Sequence, residues 1–329
     1  MDITPILRED MDIDISKYDL SSLTKLQQHL LLSRLNNSNI EYFTNKDYSV
    51  DLYKNKCTME TLWNLANTLP DVDIVNDIVS KLNKRSRIII LSDFDADGLS
   101  SLVTIEKCFK LLGYENLIPL HNKRVYGTGV TSKCMETLTE LSKRFNKEAD
   151  LLILSDHGSS NGPEYNKIRK DLFPGLPIIL TDHHEVNYNL MRVENTDLTF
   201  AFVNAHRVDT MKDYSLLQTL SGCSIAYLTM LLIAGKDKYK TLEPIMYLPA
   251  LSTISDVMPL DNPINRYIVK TGFKHMPFQW YKLFTKVLKT TKITCRDLSF
   301  SVIPIINTGN RANCEELAYD YLNSDIDAM

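Results

Sequence analysis

The 329-residue sequence predicts an α/β fold: a parallel, doubly wound sheet with a helical segment before it and a helical region after it. Two observations carry this expectation. Apolar runs such as "RIIILS", "DLLILS" and "LPIILT" have the continuous character of strands buried on both faces. Helix-like segments separate them, the alternation that builds parallel sheets. A third observation places a site: each of these runs leads into an aspartate, at the strand end where parallel sheets bind ligands.

Taken in order, residues 1–84 read as mostly helical and polar, with leucines at helical spacing in "SSLTKLQQHLLLSRL" and similar patterns in "METLWNLANTL" and "VNDIVSKLNKR". The basic "NKRSR" then gives way to the first strand, 87–92, and a boundary is drawn after residue 84. "LSSLVTIEKCFKLLG" reads as an amphipathic helix ended by Gly113, "NLIPL" as a short strand, and "TSKCMETLTELSKRF" as a helix capped by Thr131 or Ser132. Strand 150–155, the helix "PEYNKIRKDL", strand 176–181 and strand 198–204 complete the alternation, giving a domain over 85–260. Helices dominate after about residue 220, from "SGCSIAYLTMLLIAG" to "CEELAYDYLNSD", and 261–329 is expected as a helical C-terminal region.

Composition narrows the class. Hydrophobic residues make up 44%, enough for a sizeable core. No apolar run reaches bilayer-spanning length, and the acidic N-terminus lacks the basic-then-apolar layout of a signal peptide. The expected location is therefore cytoplasmic, with no membrane partner. An Asn/Lys/Tyr-rich style fits an AT-rich bacterial or bacteriophage genome. Six cysteines without a CxxC pair argue against zinc knuckles and redox motifs and read as reduced thiols filling the core. A net charge of −4 does not mark nucleic-acid binding, but a local groove or a metal brings its own positive charge.

Chemistry concentrates where the strands end. "IIILSDFDADGLSS" places Asp93, Asp95 and Asp97 at alternate positions, and their mutual repulsion calls for a cation. "LLILSDHG" ends in Asp156 and His157, and "PIILTDHHE" in Asp182, His183, His184 and Glu185. Asp256, in "LSTISDVMPLDN", closes an apolar helix. Carboxylates with neutral imidazoles are ligands for Mn²⁺, Mg²⁺ or Zn²⁺, and carboxylates shared between two ions about 3.5–4 Å apart form a two-metal hydrolytic site. Each cluster alone has a plainer reading. DxD follows strands in nucleotide-sugar and haloacid-dehalogenase-like enzymes, Asp156 is a possible helix N-cap, and the two histidines are a possible solvated pair. Three strands of one sheet ending this way favour the metal site.

In these residues the chain resembles the DHH phosphoesterase superfamily. "DFDADG", "SDHG" and "TDHHE" match its first three motifs, and "LSTISDVMPLDNPINR" is similar to the fourth as it stands in the RecJ branch of single-strand-specific 5′→3′ DNA exonucleases. "NKRVYGTG" resembles the Gly-rich substrate loop, and "IPIINTGNRANCEELAYDYLNSD" the Pro…Asn…Gly-Arg segment. The resemblance implies two ions, Mn²⁺ or Mg²⁺. Asp95 and Asp156 would hold one; Asp97, Asp156, His183 and Asp256 the other, with Asp156 bridging; Asp93 would be a nearby metal ligand or an acid just behind the ligands. It implies that His184 meets the scissile phosphate, that Asp182 orients an imidazole, and that Arg311 grips a backbone phosphate. Arg124, Gly127, Gly129 and Asn307 would line the path of the strand, with Lys123, Tyr126 and Arg207 as further contacts.

The sequence departs from the family at three places. Position 157 is His, where the second motif commonly has Asn or Cys. Leu91 stands where some relatives carry a His. The chain stops at Met329, without the glycine-rich C-terminal domain or the oligonucleotide-binding fold of long RecJ proteins. The expected activity is exonucleolytic hydrolysis of single-stranded DNA from a 5′ end; either the enzyme is minimal, or a protein partner supplies the missing surface, or the chain is a fragment. The alternatives are a phosphodiesterase of short oligonucleotides or cyclic dinucleotides, and a non-catalytic scaffold in a replication or repair complex.

Overall fold

A computed structural model describes residues 57–194, 197–208, 214–312 and 315–324, with the side chains of Asp197, Gln279, Asn310, Arg311 and Glu315 outside the description. The leucine-spaced segment 21–35 lies outside the described residues.

Five strands form one sheet: β1 Ile88–Ser92, β2 Leu117–His121, β3 Leu151–Ser155, β4 Ile178–Asp182 and β5 Phe200–Asn204, in the order β2-β1-β3-β4-β5 and all parallel. All five strands coincide with the apolar runs of the sequence. β1, β3, β4 and β5 are buried throughout, whereas edge strand β2 is half-buried. Pro119, in the middle of β2, blunts that edge. The order reverses between β1 and β3, which makes the gap beyond their C-terminal ends the switch point where doubly wound sheets bind ligands.

Among the described residues, helices α1 Met59–Ala66 and α2 Val72–Ser80 precede the sheet. Within it run α3 Ala96–Leu111, α4 Ser132–Arg144 and α5 Gly162–Lys167, the last continuing as a π turn to Leu172. Thr131 caps α4 through the Cys134 N–H. Then follow α6 Gly222–Ala234, α7 Tyr247–Ser255, α8 Pro263–His275, α9 Phe278–Leu288, α10 Ile303–Arg311 and α11 Glu315–Asn323. On one face of the sheet, Val130, Leu138, Tyr165 and Ile168 pack with Ile89, Leu152 and Leu180.

The other face corrects one expectation. The helix read as amphipathic, α3, is buried at every residue from Ala96 to Phe109. It lies on the sheet and is covered in turn by α6, α7 and α11. Its polar residues are absorbed by partners: Glu106 accepts from Tyr319 Oη at 2.5 Å and Asn323 Nδ2 at 3.1 Å, and pairs with Lys110 at 2.6 Å. No described helix is long and apolar enough to cross a membrane.

Candidate metal centre

The register of the sheet assembles the acids. Ser92 pairs with Ser155, and Ser155 with Thr181, so the next residue on each strand is Asp93, Asp156 and Asp182. The chain turns sharply after β1. Asp95 caps α3, accepting the Gly98 N–H at 2.9 Å, and Asp97 sits in the first helical turn. A Cβ at Gly98 would lie 2.5 Å from the Asp93 carbonyl oxygen, so glycine is required for this return. Asp156 follows β3 in the left-handed region, at φ 62°. The next helix starts only at Gly162, so Asp156 is not a helix cap.

His183 stands among three carboxylates. Its Nε2 is 3.2 Å from Asp156 Oδ1, 3.6 Å from Asp97 Oδ2 and 3.6 Å from Asp256 Oδ2. The other ring nitrogen, Nδ1, is 3.1 Å from the Leu220 carbonyl. A carbonyl only accepts, so Nδ1 carries a proton, and Nε2 is the ring atom turned toward the carboxylates. Asp156 Oδ1 and His183 Nε2 are fully buried and make no hydrogen bond despite their proximity. Orphaned buried polar atoms are rare. A divalent cation would give both atoms a partner, and the residues present fit one: Asp97, His183 and Asp256 offer ligand atoms within 4.8 Å of one another, as do Asp156, His183 and His184.

Surrounding groups fix these ligands. Asp97 accepts the N–H groups of Gly222 and Cys223 at the start of α6, each at 2.8 Å, and the Ser252 hydroxyl from α7. Asp182 is fully buried and accepts from the Ser159 N–H and hydroxyl and from the His184 ring at 2.8 Å. Burial alone would raise its carboxyl, but the His184 hydrogen bond and charge and the Ser159 donor bring it down to about 2. The same bond to Asp182 lifts His184 to about 9 against its partial burial. In the metal-free protein the Asp182–His184 pair is thus an ion pair at neutral pH.

The other acids move upward. Burial, then Asp95, raises Asp93 to about 7. Burial and Asp97 raise Asp95. Burial, then Asp97 and Asp95, raises Asp156 well above the carboxylate range and Asp256 to about 9.

The remaining sequence candidates divide. Arg124 lies in a 3₁₀ turn beyond β2, and Gly127 and Gly129 adopt φ of 91° and 81°. Asn122 ties that loop down through the carbonyls of Gly127 and Gly129. Lys123 is ion-paired with Glu316 of α11. Asn307, on α10, accepts the Ala96 N–H at 3.1 Å and so braces the start of α3. Arg311 ends α10, and its side chain lies outside the described residues. Arg207 pairs with Asp71 at 2.7 Å and donates to the Phe202 carbonyl, anchoring β5. His157 is buried and belongs to neither ligand group, and Leu91 is a core residue. Sequence reasoning missed the Leu220 carbonyl, Gly222 and Ser252; a Ser-Gly pair opening an apolar helix was the available signal for Gly222.

A model of the DHH family, N-terminal domain, matches residues 87–253, half of the chain. The chain belongs to the DHH family. Similar proteins include the single-stranded-DNA-specific exonuclease RecJ of Haemophilus influenzae, 24% identical over 266 residues, covering 75% of this chain and 43% of that protein. The Escherichia coli RecJ is 25% identical over 258 residues, covering 72% and 41%. The chain thus spans about two fifths of the length of these curated relatives. A crystal structure of exonuclease RecJ bound to manganese shares the fold, with a TM-score of 0.59 at 23% identity over 78% of this chain and 61% of that one. RecJ from Thermus thermophilus with Mn²⁺ gives 0.57 at 23%, over 77% and 34%.

Proposed function

We propose that this DHH-family chain is a metal-dependent phosphodiesterase acting as a RecJ-like 5′→3′ exonuclease on single-stranded DNA. The observation that carries the reading is His183 Nε2 held close to Asp97, Asp156 and Asp256, with neither Nε2 nor Asp156 Oδ1 hydrogen-bonded. Asp97, Asp156, His183 and Asp256 would hold one ion; Asp95 and Asp156 a second, with Asp93 beside it. Bound Mn²⁺ or Mg²⁺ supplies Lewis-acid chemistry, neutralising phosphoryl charge and acidifying water.

The chain's own residues do the rest. Leu220 keeps His183 Nε2 aimed at the carboxylates, and the N–H groups of Gly222 and Cys223 hold Asp97 in one orientation. His184, protonated by its bond to Asp182, donates to the scissile phosphate. Arg124, Gly127, Gly129, Asn307 and Arg311 line the strand's path, Arg311 as the phosphate fork.

The test is Mn²⁺-dependent digestion of an end-labelled single-stranded oligonucleotide beside a dinucleotide and a cyclic dinucleotide. Shortening from the 5′ end is expected, and Asp156→Ala should abolish it while leaving the circular-dichroism spectrum intact. Cleavage of the small substrates alone would reassign the enzyme to short-substrate phosphodiesterases. Full activity in Asp156→Ala would defeat the shared-ligand assignment.

A further inference from the structure

Helix α7 ends in an unusual way. The Val257 N–H donates to the Ile254 carbonyl at 3.3 Å and the Met258 N–H to the Thr253 carbonyl at 3.0 Å, the bond pattern of a Schellman end with residue 257 at the left-handed position. That position normally takes glycine. Here it is valine at φ 54°, a conformation unfavourable for a β-branched residue. No packing offsets the strain, because Val257 is 85% exposed.

The residues that follow extend the feature. Pro259 is exposed and Leu260 is 39% exposed. Their backbone is nevertheless pinned: Asn265 Nδ2 donates to the Pro259 carbonyl at 3.0 Å and Arg266 Nε to the Leu260 carbonyl at 3.1 Å. The result is a short stretch of hydrogen-bonded backbone that carries three exposed apolar side chains. It begins one residue after Asp256, whose carboxylate is 3.6 Å from His183. A strained, exposed residue beside a reactive cluster points to function. A phosphodiester held at the cluster would bring with it the apolar ring faces and C–H surface of its flanking nucleosides.

We infer that Val257, with Pro259 and Leu260, forms a nucleoside subsite that packs against the sugar and base flanking the scissile phosphate. The inference rests on the phosphodiesterase reading. The three side chains carry no hydrogen-bonding group, so the subsite grips a nucleotide without reading its base edge, in keeping with sequence-neutral single-strand binding. Because the backbone of this stretch is already held by hydrogen bonds, covering it loses little backbone freedom.

Val257→Gly and Val257→Asn separate strain from contact, since both residues accept the left-handed conformation and neither restores the apolar surface. We expect the melting temperature of Val257→Gly to rise by about 2 °C. Binding of a phosphorothioate oligonucleotide in Ca²⁺, read by anisotropy, should weaken about tenfold in both variants, and the KM for single-stranded DNA in Mn²⁺ should rise to match. A raised melting temperature with wild-type affinity and KM would overturn the subsite. If the wild type hydrolyses nothing yet both variants bind more weakly, the hydrolytic reading fails and the subsite stands.

Discussion

A single methyl group at residue 222 would be felt directly at the acid cluster. A Cβ there would lie 2.4 Å from Asp156 Oδ1 and 2.9 Å from its Cγ. Asp156 is buried and fixed in a left-handed backbone, so it has no room to yield. Gly222→Ala should lower Mn²⁺ affinity at least tenfold by calorimetry with the fold retained, and an unchanged affinity would show that Asp156 is not a ligand. Asp182 gives a second residue-level expectation. The His184 ring stands near pKa 9 chiefly because of its hydrogen bond to Asp182. Asp182→Asn removes the charge and much of that support, so by NMR the metal-free variant should show His184 titrating close to 6.5. A value still near 9 would mean that other acids hold the proton.

Elements, rather than residues, bring the C-terminal region to the site. α11 docks on α3 through Glu106, which meets Tyr319, Asn323 and Lys110 at once. Glu106→Ala leaves those donors without their acceptor, a loss of roughly 1–3 kcal/mol. Hydrogen exchange should speed up in α11 while β1 and β3 stay protected; equal protection in α11 would show that apolar packing alone docks it. The sequence is instructive about what patterns reveal. Strands β1, β3 and β4 were legible because both of their faces are buried and the code is a simple apolar run, and the acids after them were legible because register aligns strand ends. The burial of α3 was not, because its outer face is covered by α6, α7 and α11, whose approach is a long-range event with no local signature. The role of Arg207 misled for a similar reason: a basic residue near a site looks like a substrate contact until its partner Asp71, distant in sequence, is in place. The Leu220 carbonyl, which orients the His183 ring, is a backbone atom and leaves no mark in any residue pattern.

At the scale of the whole molecule, the cluster makes stability depend on pH and metal together. In the metal-free protein Asp93 titrates at about 7 and Asp256 at about 9, with Asp95 and Asp156 also raised, against 3.8 for the ordinary side chain. Between these limits the folded state binds more protons than the unfolded state, so stability falls as pH rises through the window. His184 acts in the same direction: its folded pKa is about 9 against 6.5, so its contribution is complete below 6.5 and is lost as pH rises through 9. Asp182, at about 2, contributes above 3.8 and loses that contribution only as pH falls through 2, outside the window. The melting temperature in EDTA should therefore decrease from about pH 5 to about pH 9. Mn²⁺ reverses the balance, because it binds the deprotonated ligands and must displace fewer protons as pH rises. Its stabilising effect, which follows the ratio of free ion to dissociation constant, should grow over the same range. Paired melting curves with EDTA and with Mn²⁺ should diverge toward alkaline pH. Curves that run parallel, or an EDTA curve that rises with pH, would mean that these carboxylates are not crowded together in the folded chain as the geometry has them.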